Sequence, residues 1–376
     1  MKSFCVFLIC PFLFLACDSG KESKNKSTYL NFEVLIDTVQ VDPRNEILMA
    51  GAYIENPTVS ANKKKFYNWD RKNYALEIID LDNYELEDKV YFEKDGPKGL
   101  NSAYLFSTKS LPNNLFAFED NDSYKVHDLE GNLFKKVDFD EEWIRQDLLE
   151  SENFELVNIN ENGSVLGGIH FGFDAYKAML LLLDLEEEKK RSIPLPKFQK
   201  LENYKLVLHR NGTYLTSVNP QIYIDFKGDS IIISNNHFND VYAFRSGKLK
   251  HKAFKHQLLP EGKEKEYKKR SESREEVVKM VYEMNTEISF TRFLWDEQSN
   301  KFYRFANQAF YSEGKEEPNW KLSMMVYDKN LNLIGEREEL LTFDNYAEPL
   351  FVKEGKVHFH FNIEDELGFI RIGLKN

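Results

Sequence analysis

The sequence predicts an all-β fold: a six-bladed β-propeller closed by its N- and C-terminal strands, with one inserted helix. Three observations predict it. An apolar strand, an acidic or Gly-containing turn and an alternating strand recur along the 376-residue chain. No Pro/Gly/Ser-rich linker divides residues 30–376, although that is long for one ordinary domain. Aromatic residues make up 14% of the chain, with 30 Phe and 19 Tyr, which suits packed sheet faces. Repeats reconcile length with the missing linker, because they extend a core without creating separate domains.

The repeated unit appears five times. Ala75–Asp80 runs through Leu81-Asp82 to Glu85–Val90, and Asp122–His127 runs through Asp128-Leu129-Glu130-Gly131-Asn132 to Leu133–Val137. Met179–Leu183 turns at Asp184-Leu185-Glu186 into Lys190–Ile193. Val241–Arg245 turns at Ser246-Gly247 into Leu249–Lys252, and Met324–Tyr327 turns at Asp328-Lys329-Asn330 into Leu331–Ile334. Asp, Asn and Gly tolerate the backbone angles of tight hairpins, so each unit reads as the two outer strands of a blade.

Further hairpins lie between these units. Asn162-Gly163, Asn211-Gly212 and Glu354-Gly355 each sit between apolar runs, read here as inner strands of later blades. Asn162-Gly-Ser and Asn211-Gly-Thr also match a glycosylation acceptor, but turn chemistry is the preferred reading. Five outer hairpins and the C-terminal strands Val352–Ile372 count to six blades; seven blades or a pair of β-sandwiches are the alternatives. Leu30–Val41 stands alone at the front and supplies the strand the last blade lacks. Pairing the two ends removes an exposed edge.

One stretch breaks the β pattern, from Pro260 to about Glu287. Val277, Met280, Val281 and Met284 recur at helical spacing, and Ser273 precedes Glu276 by three residues, a capping box. A helix is expected here, inserted between blades four and five and lying over one face as a lid. Residues 245–274 hold eleven Lys/Arg against four Glu, within a chain of net charge −12. Such asymmetry marks either a polyanion or membrane patch or a solvated face, and the interleaved Glu264, Glu266 and Glu272 favour the latter.

The front of the chain is a targeting segment. Met1-Lys2 is positive, Phe4–Leu15 is apolar, and Leu15-Ala16-Cys17 closes the run. Twelve apolar residues are too few to cross a bilayer, so residues 1–16 read as a secretory leader. All three cysteines, Cys5, Cys10 and Cys17, lie in or at the end of it, so no disulfide framework holds the mature body. Asp18–Thr28 contains no apolar residue, and residues 17–29 read as a flexible tether spanning on the order of 18 Å.

The search for chemistry returns candidates of low specificity. There is no Gly-rich phosphate loop, Ser elbow or mature-chain Cys nucleophile, and no cofactor is expected. His358-x-His360 has zinc-ligand spacing on a strand but lacks a visible third ligand. Glu119-Asp-Asn-Asp122 resembles half a calcium loop without its turn Gly, and reads as a polar hairpin tip. His170 sits among glycines near a strand end, and His237 follows Asn235-Asn236. Arg304 sits mid-strand, where burial calls for a carboxylate partner. His170, His237, Arg304, His358 and His360 are thus the candidate binding residues; no catalytic or metal-binding set is assigned.

Ala16-Cys17 followed by a polar run resembles the lipobox of bacterial lipoproteins, with Phe14 where Leu is usual. An ordinary leader cleaved nearby is the alternative. Together with Ile36-Asp-Thr-Val39, Lys94-Asp-Gly-Pro97-Lys-Gly99 and Trp295-Asp296 ahead of Lys301–Phe305, the chain resembles an uncharacterised family of bacterial lipoproteins with a six-bladed, TolB-like propeller. The resemblance implies lipidation at Cys17, a membrane anchor through that lipid, and a place in the cell envelope, with the outer membrane expected and the leaflet open. It carries no catalytic residue. A non-enzymatic binding module for an envelope protein or glycan is the leading expectation. A propeller-type hydrolase or lyase with a site at the channel mouth is the alternative. Nucleic acid is not an expected partner of an exported acidic chain.

Overall fold

The computed structural model describes residues 32–51, 54–148, 152–172, 176–313 and 317–375; the leader, Cys17 and the tether lie outside them. The described chain is all-β and propeller-like. After β1 (Val34–Gln40) come β2 (Thr58–Val59), β3 (Lys65–Asp70), β4 (Ala75–Asp80) and β5 (Glu85–Tyr91), which form the first sheet in that order. The second sheet is β6 (Ser107–Leu111), β7 (Leu115–Glu119), β8 (Ser123–His127) and β9 (Leu133–Asp138). A one-turn helix α1 (Glu142–Arg145) leads to the third, β10 (Glu152–Ile159), β11 (Val165–Gly172), β12 (Met179–Asp184) and β13 (Lys189–Pro194). The hairpin β14 (Leu206–Arg210) and β15 (Thr213–Val218) follows.

The fourth sheet is β16 (Ile222–Lys227), β17 (Ser230–Asn235), β18 (Asp240–Arg245) and β19 (Lys248–Ala253). Next come β20 (Arg270–Ser271) and helix α2 (Arg274–Asn285). The fifth sheet holds β21 (Ser289–Phe290), β22 (Leu294–Asp296), β23 (Lys301–Phe310), β24 (Asn319–Asp328) and β25 (Leu333–Phe343). The last contains β26 (Pro349–Lys353), β27 (Lys356–His360) and β28 (Gly368–Leu374), with β1 as its outer strand. As expected, β1 runs antiparallel to β28, from Val34 opposite Leu374 to Gln40 opposite Gly368.

Local chemistry explains why the outer hairpins were legible. Asp80 Oδ1 accepts the backbone N–H groups of Asp82 and Asn83, at 2.8 and 2.7 Å. Asp128, Asp184 and Asp328 hold their turns in the same way. The fourth hairpin instead turns at Ser246 and Gly247, both at positive φ. Third strands are buried on both faces, as in β4 and β12, whereas the outer strands β13 and β19 alternate toward solvent.

Each large core is shared by two sheets, in chain order. Trp69, Leu76 and Ile78 of the first pack with Phe116 and Phe118 of the second. Further cores join second to third, third to fourth, fourth to fifth, and fifth to sixth. Phe351 and Phe369 of the sixth pack with Phe66 and Ile79 of the first, their rings 5.7 and 5.2 Å from Phe66.

Two expectations are corrected. The Asn211-Gly212 hairpin is not an inner blade strand: β14 pairs with β15 and, in parallel, with β20, making a separate three-stranded sheet. The helix spans only 274–285, not the whole stretch from 260, because residues 260–273 cross to reach β14. It packs on that small sheet through Val277, Met280 and Met284 against Tyr204 and Leu206. Ser273 caps it by accepting the Glu276 N–H at 3.2 Å, but the reciprocal half of the box is missing: the Glu276 carboxylate takes Ser271 Oγ and Lys268 instead.

In the β10–β11 pair, a Cβ on Gly168 would lie 2.6 Å from the Glu155 carbonyl oxygen. Gly168→Ala is therefore expected to destabilise the fold by about 1–3 kcal/mol through overpacking, read as a lowered thermal midpoint.

Candidate functional site

The first strands, or the residues leading into them, converge from all six large sheets on one cavity of about 1360 Å³. Asn56 comes from the first sheet, Ser107 and Glu119 from the second, Glu155 from the third and Tyr223 from the fourth. Arg292 comes from the fifth and Glu348 from the sixth. Arg292 reaches the cavity because the inner strand of the fifth sheet is broken there. β21 and β22 both pair with β23, and residues 291–293 lie between them. Thr291 secures the gap: its N–H donates to the Phe305 carbonyl at 2.9 Å, and its hydroxyl accepts the Phe305 N–H at 3.1 Å.

The carboxyl groups of this cavity are held away from their ordinary behaviour. Burial pushes Glu119 up to about 7; Glu155 and Asp120 add repulsion, while the Ser107 hydroxyl, donating at 2.7 Å, opposes the shift. Burial likewise pushes Glu348 up to about 7, against the charge of Arg292. Glu155, more open to solvent, is raised too, by partial desolvation in the cavity. The Tyr223 and Tyr346 hydroxyls are raised by burial. Arg292 pairs with Asp225 at 3.3 Å. Carboxyls that keep a proton near neutrality, in a concave site, are the usual mark of a functional cluster.

The Glu119 shift has a testable sign. The folded carboxyl keeps its proton to about pH 7, whereas its ordinary value is 4.5. The folded state therefore binds the extra proton, and this group makes stability fall as pH rises from about 4.5 through 7. Glu119→Gln is expected to match the wild type at pH 4 and to exceed its stability at pH 8 by roughly 1–3 kcal/mol, measured as urea midpoints at both pH values.

The five candidate binding residues from the sequence lie outside the cavity lining. Arg304 is fully buried, but its partners are not carboxylates. Nε donates to the Thr291 carbonyl at 2.8 Å, one terminal nitrogen to Asn239 Oδ1 at 2.5 Å and the other to the Asn235 carbonyl at 2.6 Å. Burial lowers its pKa from the ordinary value. His237 lies between Asn236 Oδ1, at 2.5 Å, and Met284 Sδ, at 3.4 Å; burial drives it well below the usual range. His170 faces Glu152 at 3.2 Å and is lowered by burial.

His358 stacks on Phe351 at 4.4 Å and meets the Tyr84 hydroxyl at 2.9 Å, and burial pulls it down to about 3. His360 turns to Asn362 Oδ1 at 2.8 Å, so the two histidines serve different partners. Among the described residues no group of three or more His, Cys, Asp or Glu side chains is placed to hold a metal ion. Glu119-Asp-Asn-Asp122 is a hairpin tip, with Asp120 Oδ1 accepting the Asp122 and Ser123 N–H groups, and it lies on the cavity rim. Part of the basic stretch is spent locally: Lys268 pairs with Glu276, Lys269 with Glu202, and buried Lys263 donates to the Met284 carbonyl at 2.7 Å. Among the described residues no helix is long and apolar enough to cross a membrane.

Comparison with known proteins places this geometry. The crystal structure of a DUF4221 family member from Bacteroides vulgatus is similar, with a TM-score of 0.64 at 14% identity, over 92% of this chain and 99% of that one. A protein from Bacteroides fragilis, described as exported, gives 0.49 at 10% identity over 91% and 96%. The β-propeller domain of Cps50 (Swd1) from Myceliophteria thermophila gives 0.41 at 9% identity over 85% and 82%. Among curated proteins none matches the chain. The profile of the family described as a domain of unknown function, DUF4221, matches residues 29–338, and the chain belongs to that family.

Proposed function

We propose that the protein is a cell-envelope lipoprotein moored through acyl chains on Cys17, and that it is a non-enzymatic binding module holding part of an envelope partner, protein or glycan, in the axial cavity. In this reading the six large sheets are the blades of a propeller closed by β1. The cyclic order of the shared cores supports six blades, and the small sheet stands outside that order, which weighs against seven. The observation that carries the binding site is the single cavity to which all six sheets contribute. Several acyl chains would anchor the body stably where one would not.

One observation favours the enzymatic alternative, a hydrolase or lyase. Glu119 and Glu348 keep protons to about pH 7, as a general acid must. Two measurements test the proposal. The intact mass of the mature chain is expected to include acyl groups, and Cys17→Ser is expected to abolish them and release the protein from membranes. A photo-crosslinking residue at Phe106, exposed on the cavity lining, is expected to capture a partner in cells. A mature chain without acyl groups defeats the mooring; an empty crosslink defeats the cavity reading. Turnover of an envelope polysaccharide that Glu119→Gln abolishes would establish the alternative.

A further inference from the structure

We propose that the axial cavity receives the free carboxyl end of a peptide, its carboxylate seated on Arg292 with Lys109 behind, and its remaining backbone directed toward the acidic rim. The inference rests on the cavity being a binding site and names its ligand class. Arg292 lines the cavity with a side chain 31% exposed, and among the described residues its ionic partner is Asp225, at 3.3 Å. Its buried Nε has no hydrogen-bond partner among the described residues, nor has Asp225 Oδ2. Lys109, on β6 next to the cavity-lining Thr108, feels the charges of both. Among the described residues no carboxylate lies within ion-pair distance of its ammonium.

Burial, reinforced by the charges of Arg292 and Lys63 and only partly opposed by Asp225 and Glu161, pulls Lys109 down to about 8. Glu348 leaves the guanidinium incompletely neutralised, because it holds its own proton to about pH 7. The floor is thus an under-compensated cationic site with a planar fork of donors, the geometry that takes a carboxylate in two parallel hydrogen bonds. The rim has the opposite sign: Asp122, Asp138 and Asp140 line the cavity there, alongside Arg145.

This polarity selects among ligands. A cation would be held at the rim and refused at the floor. A polyanion would be repelled at the rim. A neutral glycan would leave the floor charge unmet. A zwitterionic chain end, carboxylate first, satisfies both layers. A cavity of about 1360 Å³ also exceeds the roughly 300–1,000 Å³ that encloses a drug-sized molecule, which leaves room for several residues.

Three probes test it on the purified chain: tri-alanine, its C-terminal amide, and its N-acetyl form. Tri-alanine binding, followed by titration calorimetry, is expected to weaken at least tenfold for the amide and for Arg292→Gln. N-acetylation is expected to cost only a few-fold. Bound tri-alanine is also expected to move the Lys109 titration, read by NMR on methylated amines, upward from about 8. Lys109→Met, which removes no ion pair, serves as the second variant should Arg292→Gln unfold. Equal binding of acid and amide, no binding of tri-alanine at millimolar concentration, or an unmoved Lys109 overturns the inference. If a glycan is nonetheless captured at Phe106, the cavity reading survives and only the peptide assignment falls.

Discussion

Arg304→Ala is expected to destabilise the protein by about 3–5 kcal/mol, enough to consume much of the ~5–15 kcal/mol that holds a typical domain. The guanidinium is fully buried and bonded to the Thr291 carbonyl, the Asn235 carbonyl and Asn239 Oδ1, in contact with Phe290 and Phe293 at 4.9 and 4.7 Å. It therefore ties the fourth sheet to the broken inner strand of the fifth. Truncation strands three acceptors, at about 1–3 kcal/mol for each that stays unsatisfied, and opens a cavity as well.

Arg304→Met separates these costs, since it refills most of the volume but restores no donor. Urea unfolding is expected to rank wild type above Arg304→Met above Arg304→Ala. A methionine variant as stable as the wild type would show that desolvating the charge had cancelled everything its hydrogen bonds contribute, an outcome known for some buried ionic groups.

Arg304 also shows where sequence reading stops. A mid-strand arginine announces burial, so its position was legible. Its partners were not, because two of the three are backbone carbonyls, of Asn235 and Thr291, which carry no residue-type signal. The outer hairpins were legible for the opposite reason. Their turns are set by a local contact, Asp80 or Asp328 to the N–H groups that follow, and by alternation on strands with one wet face. The Asn211-Gly212 hairpin gave an equally strong local signal and was still misplaced, since turn chemistry fixes a hairpin but not the sheet it joins. The cavity was hardest to see. Glu119, Glu155, Arg292 and Glu348 are far apart in the chain and unremarkable singly; only sheet packing brings them together. The sole local hint was the acidic run at residues 119–122, which reads as a hairpin tip and is one, but also forms part of the rim.

Deleting residues 32–41 is expected to have a larger effect than any single substitution: loss of cooperative unfolding and a tendency to aggregate. β1 covers the edge of β28 along seven residue pairs, and without it that edge is an open template for other chains. The deletion also removes Val41, fully buried between the sixth and first sheets, and so weakens the contact between the two ends of the sheet series. The ion pairs on the strand are a lesser part. Asp37 bonds Arg371 at 2.5 Å and Lys356 at 2.6 Å but is 40% exposed, so Asp37→Asn should cost only about 0–1 kcal/mol. The ladder and the buried apolar side chains, rather than charge, then account for the joint. A synthetic peptide of residues 32–41 added in trans is expected to restore a sharp urea transition, because strand addition to an open edge uses the same main-chain hydrogen bonds. A truncated chain that unfolds with unaltered midpoint and slope would mean the six sheets hold together without their terminal strand, and the proposed ring closure would have to be abandoned.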